Sequence, residues 1–130
     1  MANGFDFDVL EGVSPPTALE VYLTTNGPQL SLAVSTGSDR LAGDPITNVS
    51  ANPANVPYGV AARANDFVVA YAAGDVTPPQ IRLQRVGSDG KLRSSPITVS
   101  PAGVAAGSPA VAYDPSTHRI GVTWIGPMTA

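Results

Sequence analysis

Large apolar residues recur at every second position in several segments of this chain. Phe67, Val69 and Tyr71 fall on one face of an extended segment, and Ile120, Val122 and Trp124 do so in another. That period belongs to β-strands rather than helices. Runs of turn-forming residues separate the alternating segments: Ser35-Thr36-Gly37-Ser38-Asp39, Ala64-Asn65-Asp66, Gly87-Ser88-Asp89-Gly90 and Asp114-Pro115-Ser116-Thr117-His118. Such residues supply the backbone conformations and local side-chain hydrogen bonds of tight hairpins. The pattern predicts ten short strands over 5–10, 18–24, 29–35, 45–50, 57–63, 67–73, 80–86, 92–99, 109–113 and 119–125. Ala61, Ala62, Ala110 and Ala112 lie within strands and permit close packing of sheet on sheet. The expected fold is all-β and antiparallel.

Shifting the chain against itself by about fifty residues, a spacing typical of repeat architectures, exposes an internal repeat. Pro28-Gln29-Leu30-Ser31-Leu32 aligns with Pro79-Gln80-Ile81-Arg82-Leu83, Leu41 with Leu92, and Pro45-Ile46-Thr47 with Pro96-Ile97-Thr98. A second pair of segments also recurs. Pro57-Tyr58-Gly59-Val60-Ala61-Ala62 corresponds to Pro109-Ala110-Val111-Ala112-Tyr113, and Phe67-Val68-Val69-Ala70-Tyr71 to Ile120-Gly121-Val122-Thr123-Trp124. The connecting turns differ in length, as loops commonly do. A fainter copy of the strand pair lies at Phe5-Asp6-Phe7-Asp8-Val9-Leu10 and Leu19-Glu20-Val21-Tyr22-Leu23. One domain over 1–130 is expected, with repeats at roughly 5–50 and 57–99 and a half repeat at 109–125.

Composition narrows the function classes. Thirteen Gly and thirteen Pro break the chain into pieces too short for long helices. Charged residues make up 13% of the chain, against roughly 25% in an average soluble domain, and the net charge is −3. Arg40, Arg63, Arg82, Arg85, Lys91, Arg93 and Arg119 are scattered along the sequence. A nucleic acid is therefore not an expected partner, because phosphate affinity needs a concentrated basic face. The absence of cysteine excludes disulfides and thiolate chemistry. Met1 to Phe7 carry neither a basic n-region nor an apolar h-region, so no signal peptide is visible. No apolar run approaches the roughly 18 residues of a membrane-crossing helix, and membrane insertion is not expected. The glycines fall singly at turns and form no phosphate-binding loop.

The order of motifs from Gly59-Val60-Ala61-Ala62 through Phe67-Val68-Val69-Ala70-Tyr71, Gln80-Ile81-Arg82-Leu83-Gln84-Arg85 and Ser88-Asp89-Gly90 to Pro96-Ile97-Thr98-Val99 resembles the propeller-like repeats of large bacterial surface and secreted proteins. The resemblance covers 57–125 well, 28–50 moderately and 1–27 only by position. It implies that each repeat is one four-stranded antiparallel blade, and that the repeats act as binding or spacing scaffolds rather than enzymes. It also implies a partial β-propeller of about two and a half blades; a β-sandwich of the same ten strands is the alternative. A radial propeller needs about four to eight blades to close. A shorter set leaves strand edges that pair with other chains.

The candidate chemistry is sparse. Asp89 in the Ser88-Asp89-Gly90 turn could supply calcium with at most two of the six or more oxygens it needs, so it is read as a turn former. His118, with Asp114, Ser116 and Thr117 in one turn, has the residue types of a hydrolytic triad without the spacing that would orient a base. Asp6, Asp8 and Glu11 are read as a polar strand face rather than an acid pair. Tyr71 and Trp124, at equivalent ends of the repeated strand, are the candidate ligand-binding residues of a carbohydrate-binding alternative; alternation places both with core neighbours instead. No catalytic residue, metal ligand or cofactor is expected. The leading expectation is a non-enzymatic structural or interaction module at an extracellular, cell-surface or virion location. Its expected partner is a second copy of itself or a larger assembly, with a glycan as the alternative.

Overall fold

The computed structural model describes residues 5–10, 12, 14–23, 29–50 and 58–127, without the side chains of 5, 6, 22 and 23. Two four-stranded antiparallel sheets and one two-stranded sheet follow each other along the chain. The first holds β1 (Phe5–Leu10), β2 (Thr17–Leu23), β3 (Leu30–Thr36) and β4 (Asp39–Ala42) in sequential order. The second holds β5 (Tyr58–Ala62), β6 (Asp66–Ala72), β7 (Ile81–Gly87) and β8 (Ile97–Thr98) in the same order. The third pairs β9 (Gly107–Asp114) with β10 (Arg119–Ile125). The described residues contain no helix, so none is long and apolar enough to cross a membrane. The protein is all-β, built of blade-like antiparallel sheets.

The pairing registers make the repeat residue-specific. In the first sheet Thr17 pairs with Thr36 and Leu23 with Leu30; in the second Asp66 pairs with Gly87 and Ala72 with Ile81. Strands β2, β6 and β10 all have seven residues. Glu20, Val69 and Val122 thus occupy one repeat position, as do Phe7, Val60 and Val111 on the neighbouring strand. Directly paired residues share a face, so each sheet has two assignable faces.

Sheets stack face to face. Leu10, Leu19, Val21, Leu30, Leu32 and Val34 of the first sheet form the main core with Tyr58, Val60, Phe67, Val69, Tyr71 and Val86 of the second. At about 25 cal/mol per Å² of apolar surface removed from water, this is the interface that holds the fold. The opposite face of the second sheet contributes Ala72 and Ile81 to a smaller cluster with Ala106, against which Val99, Val122 and Trp124 pack. Every residue of β6 is consequently buried, whereas β10 alternates between exposed and half-buried.

Backbone contacts fix the spacing between the first two sheets. A Cβ on Gly43 would lie 2.7 Å from the Gly90 carbonyl oxygen, and Gly90 adopts φ +80°. Only glycine meets both demands without strain. Asp44 N–H donates to that same carbonyl at 2.9 Å, and the Asp44 carboxylate accepts from Leu92 N–H at 3.1 Å. Further along the interface, the Asp8 carboxylate accepts from Ala62 N–H at 2.6 Å.

Two strand positions differ from the sequence-based expectation. The outer strand of the first sheet is Asp39–Ala42, not 45–50. Gly37, at φ +60°, and Ser38 form a two-residue turn that returns the chain onto β3 at once. Ile46 and Val49 make only isolated bridges, to Leu30 and Ala73. In the second sheet the expected strand 92–99 shortens to Ile97–Thr98, with Leu92 in an isolated bridge to Val86. Position 57, expected to open a strand, lies outside the described residues.

Candidate functional site

The third sheet is where the architecture is open. In the second sheet β6 has β5 on one side and β7 on the other. Its repeat counterpart β10 pairs only with β9 among the described residues. The outer edge of β10 therefore presents backbone N–H and C=O groups without a ladder partner, the feature through which sheets recruit further strands.

The outer face of this sheet is open as well. Ala110, Ala112, Asp114, Arg119, Gly121, Thr123 and Ile125 alternate with the half-buried inner positions and are all exposed, Ile125 to 67%. The repeat positions of Ala110 and Ala112 are those of Gly59 and Ala61, on the second-sheet face that β9 covers. A Cβ on Gly59 would lie 3.1 Å from the carbonyl oxygen of Pro109 and 3.8 Å from the nitrogen of Val111. A face built from small residues thus accepts a following strand at close range.

At the opposite end of the stack, the outer face of the first sheet carries Phe7, Val9, Ala18, Glu20 and Arg40. Phe7 is 56% exposed. Arg40 donates to the Glu20 carboxylate through Nε at 3.2 Å and Nη2 at 2.9 Å.

Tyr71 and Trp124 do occupy one repeat position, yet they face different interfaces. Tyr71 is 2% exposed within the core between the first and second sheets. Burial pushes its phenol above the ordinary value of 10.0, opposed by a hydrogen bond from Arg82. Arg82 is itself held by Asp75 at 2.8 Å. Trp124 is half-buried against Ala72, Ile81 and Ala106. Stacking a sugar ring on Tyr71 would require separating the first two sheets.

The polar candidates serve local structure. The Asp114 carboxylate accepts from Ser116 N–H and Oγ–H at 3.0 and 2.7 Å and from the Thr117 hydroxyl at 2.7 Å. The side-chain hydrogen bonds of Ser116 and Thr117 hold its carboxyl below the usual value. The ring of His118, a residue at φ 56°, contacts the Tyr113 hydroxyl at 3.1 Å through Nδ1. Ser116 and His118 are therefore occupied by different partners, and no nucleophile-base pair is assembled. The Asp89 carboxylate accepts from Lys91 N–H and from Arg93, both at 3.1 Å, as a turn former does. No cluster with the makings of a metal site occurs among the described residues. Asp8 bridges two sheets, while Glu11 and the side chains of Asp6 and Tyr22 lie outside the described residues.

A shallow groove of about 440 Å³ runs between the three sheets, lined in part by Asp8, Arg63, Tyr113 and His118. Nearby, buried Asp66 receives Arg85 Nε and Nη2 at 3.0 and 2.9 Å. Arg63 Nε stands 2.8 Å from its other oxygen, an ion pair without hydrogen-bond geometry. Sequence reasoning missed this cluster; its signal was Asp66 at the repeat position of Thr17 and Arg119. It missed Phe7 too, because alternation alone does not say which face is covered.

The fold and this surface define a protein of stacked, blade-like antiparallel sheets, the third of which is open among the described residues. Comparison with known protein families, curated proteins and solved structures gives no match to this chain.

Proposed function

We propose that this protein is a structural and interaction module that works by assembly, completing its stack of blades against copies of itself or on a larger protein surface. The observation that carries this reading is the third sheet, whose outer β10 edge and small-residue outer face are both open among the described residues. In a propeller-like arrangement each blade is covered by the next and edges are short and protected. Ile125 and Phe7, exposed at opposite ends of the stack, are large apolar side chains of the kind that interfaces cover. Few charges and abundant Gly and Pro suit a component of a virion, filament or cell surface. The test is solution mass by light scattering across a concentration series. A mass that rises with concentration to a defined multiple of the chain is the expected result; a strict monomer at the highest concentration overturns assembly with copies of itself.

A further inference from the structure

We infer that assembly is head-to-tail, with the outer face of the third sheet of one copy receiving the outer face of the first sheet of a second copy. This rests on the assembly reading above and adds the partner surface and its sense. The two open faces are not alike, and the internal interfaces show how such faces meet. At both internal interfaces the face of one sheet receives the opposite face of the next: Leu19 and Val21 receive the side of Phe67 and Val69, and Ala72 receives that of Val122 and Trp124. The receiving face that remains open carries Ala110, Ala112, Gly121 and Thr123. The incoming face that remains open carries Phe7, Val9 and Ala18.

The repeat positions agree with this sense. Val60 and Val111, at the position of Phe7, both face the preceding sheet, and Val60 is 8% exposed where Phe7 is 56% exposed. Ala110 stands at the position of Gly59, where a Cβ would lie 3.1 Å from the Pro109 carbonyl oxygen and 3.8 Å from the nitrogen of Val111, so a second copy seated on Ala110 stands a few tenths of an ångström further off than β9 stands from Gly59. Continuing the stack therefore seats Phe7 of a second copy against Ala110, and Val9 against Ala112 at the repeat positions of Ala62 and Asp8, without the hydrogen bond that the Asp8 carboxylate accepts from Ala62 N–H. A head-to-tail contact is heterologous: it closes a ring if the rotation allows, or continues as a filament.

The chain contains no cysteine, so introduced thiols report the contact directly. Phe7→Cys and Ala110→Cys are prepared separately, and Val9→Cys with Ala112→Cys form a second pair in case loss of the Phe7 ring impairs folding. Disulfides form only where Cα atoms approach within about 4.4–6.8 Å. Under mild oxidation, mixing the two partners of a pair should give a covalent dimer that neither gives alone. Dimers from Ala110→Cys or Ala112→Cys alone would show a symmetric contact and overturn the inference. A rising solution mass without cross-linking in either mixture would overturn it while leaving assembly intact. A strict monomer by light scattering removes both.

Discussion

Val69 and Val122 are the same residue at the same repeat position, and the structure gives them different surroundings. Val69 is fully buried between the first two sheets, at 0% exposure. Val122 is half-buried under the two-stranded third sheet. Replacing Val69 with Ala removes two methyl groups from a closed core, which costs ~1.6 kcal/mol in transfer free energy. If the surroundings fail to collapse, a cavity of up to ~50 Å³ adds ~1.2 kcal/mol at about 24 cal/mol per Å³. The expected loss is therefore about 1.5–3 kcal/mol. Val122→Ala leaves no closed cavity and uncovers surface already partly wet, so about 0.5–1 kcal/mol is expected. The lower strand preference of Ala applies to both sites and largely cancels in the difference. Urea unfolding followed by circular dichroism at the lowest workable concentration reads both losses, with equal slopes showing that the unfolded states match. Equal costs at the two sites would refute the reasoning, because they would mean that the third sheet closes its inner face as tightly as the main core.

Three further outcomes follow from the geometry. Gly103 and Gly90 both adopt positive φ, but a Cβ at 103 meets nothing within 4 Å while one at 90 would lie 2.9 Å from the Gly43 Cα; Gly103→Ala should cost about 1 kcal/mol and Gly90→Ala clearly more, read as melting-temperature shifts. Because the Tyr71 phenol is raised by burial, its stabilising contribution is full below the ordinary value of 10.0 and lost as pH rises above it; Tyr71→Phe should move the alkaline unfolding midpoint upward and remove a phenol that ionises above the ordinary range in an ultraviolet titration. The Asp114 carboxyl is lowered by its Ser116 and Thr117 hydrogen bonds, so its contribution is present above the ordinary 3.8 and lost as pH falls below it; carbon NMR should show its midpoint rising in Ser116→Ala.

The repeat was legible because the matched strands carry large apolar residues at every second position. Phe67-Val69-Tyr71 and Ile120-Val122-Trp124 fixed two strands and their inner faces, and the paired Pro-Gln-Leu and Pro-Gln-Ile segments fixed β3 and β7. The outer strands were not legible for a physical reason. Pro45-Ile46-Thr47 repeats Pro96-Ile97-Thr98, but the Gly37-Ser38 turn brings Asp39–Ala42 back onto β3 first. The Gly87–Lys91 loop of the second sheet is longer, closed by Gly87 N–H donating to the Lys91 carbonyl at 2.8 Å. The same triplet therefore ends in a bridge in one sheet and a strand in the other. The open surface was legible only as a strand count. Alternation assigns Ala110 and Ala112 to one face and Val111 and Tyr113 to the other, but which face meets the second sheet depends on the order of stacking.

The position shared by Leu19, Val68 and Gly121, with its neighbour shared by Val21, Ala70 and Thr123, shows how the stack is graded. Leu19, Val21, Val68 and Ala70 lie on the face turned toward the following sheet, and Gly121 and Thr123 on the corresponding open face of the third. Summed over the two positions, side-chain volume falls from the first sheet to the third, and so does the apolar area each face offers to its neighbour. The first interface gathers most of the buried large side chains, the second is built from Ala72, Ile81 and Ala106 with half-buried partners, and the open face offers Gly121 and Thr123. Stabilisation by burial scales with apolar area, so each successive contact is weaker than the one before. A second copy docking on the third sheet would find the shallowest contact of the series, and the Glu20–Arg40 pair on its incoming face would keep part of that contact polar. Assembly through this face is therefore expected to be reversible and dependent on concentration, while each chain keeps its own core in the first interface.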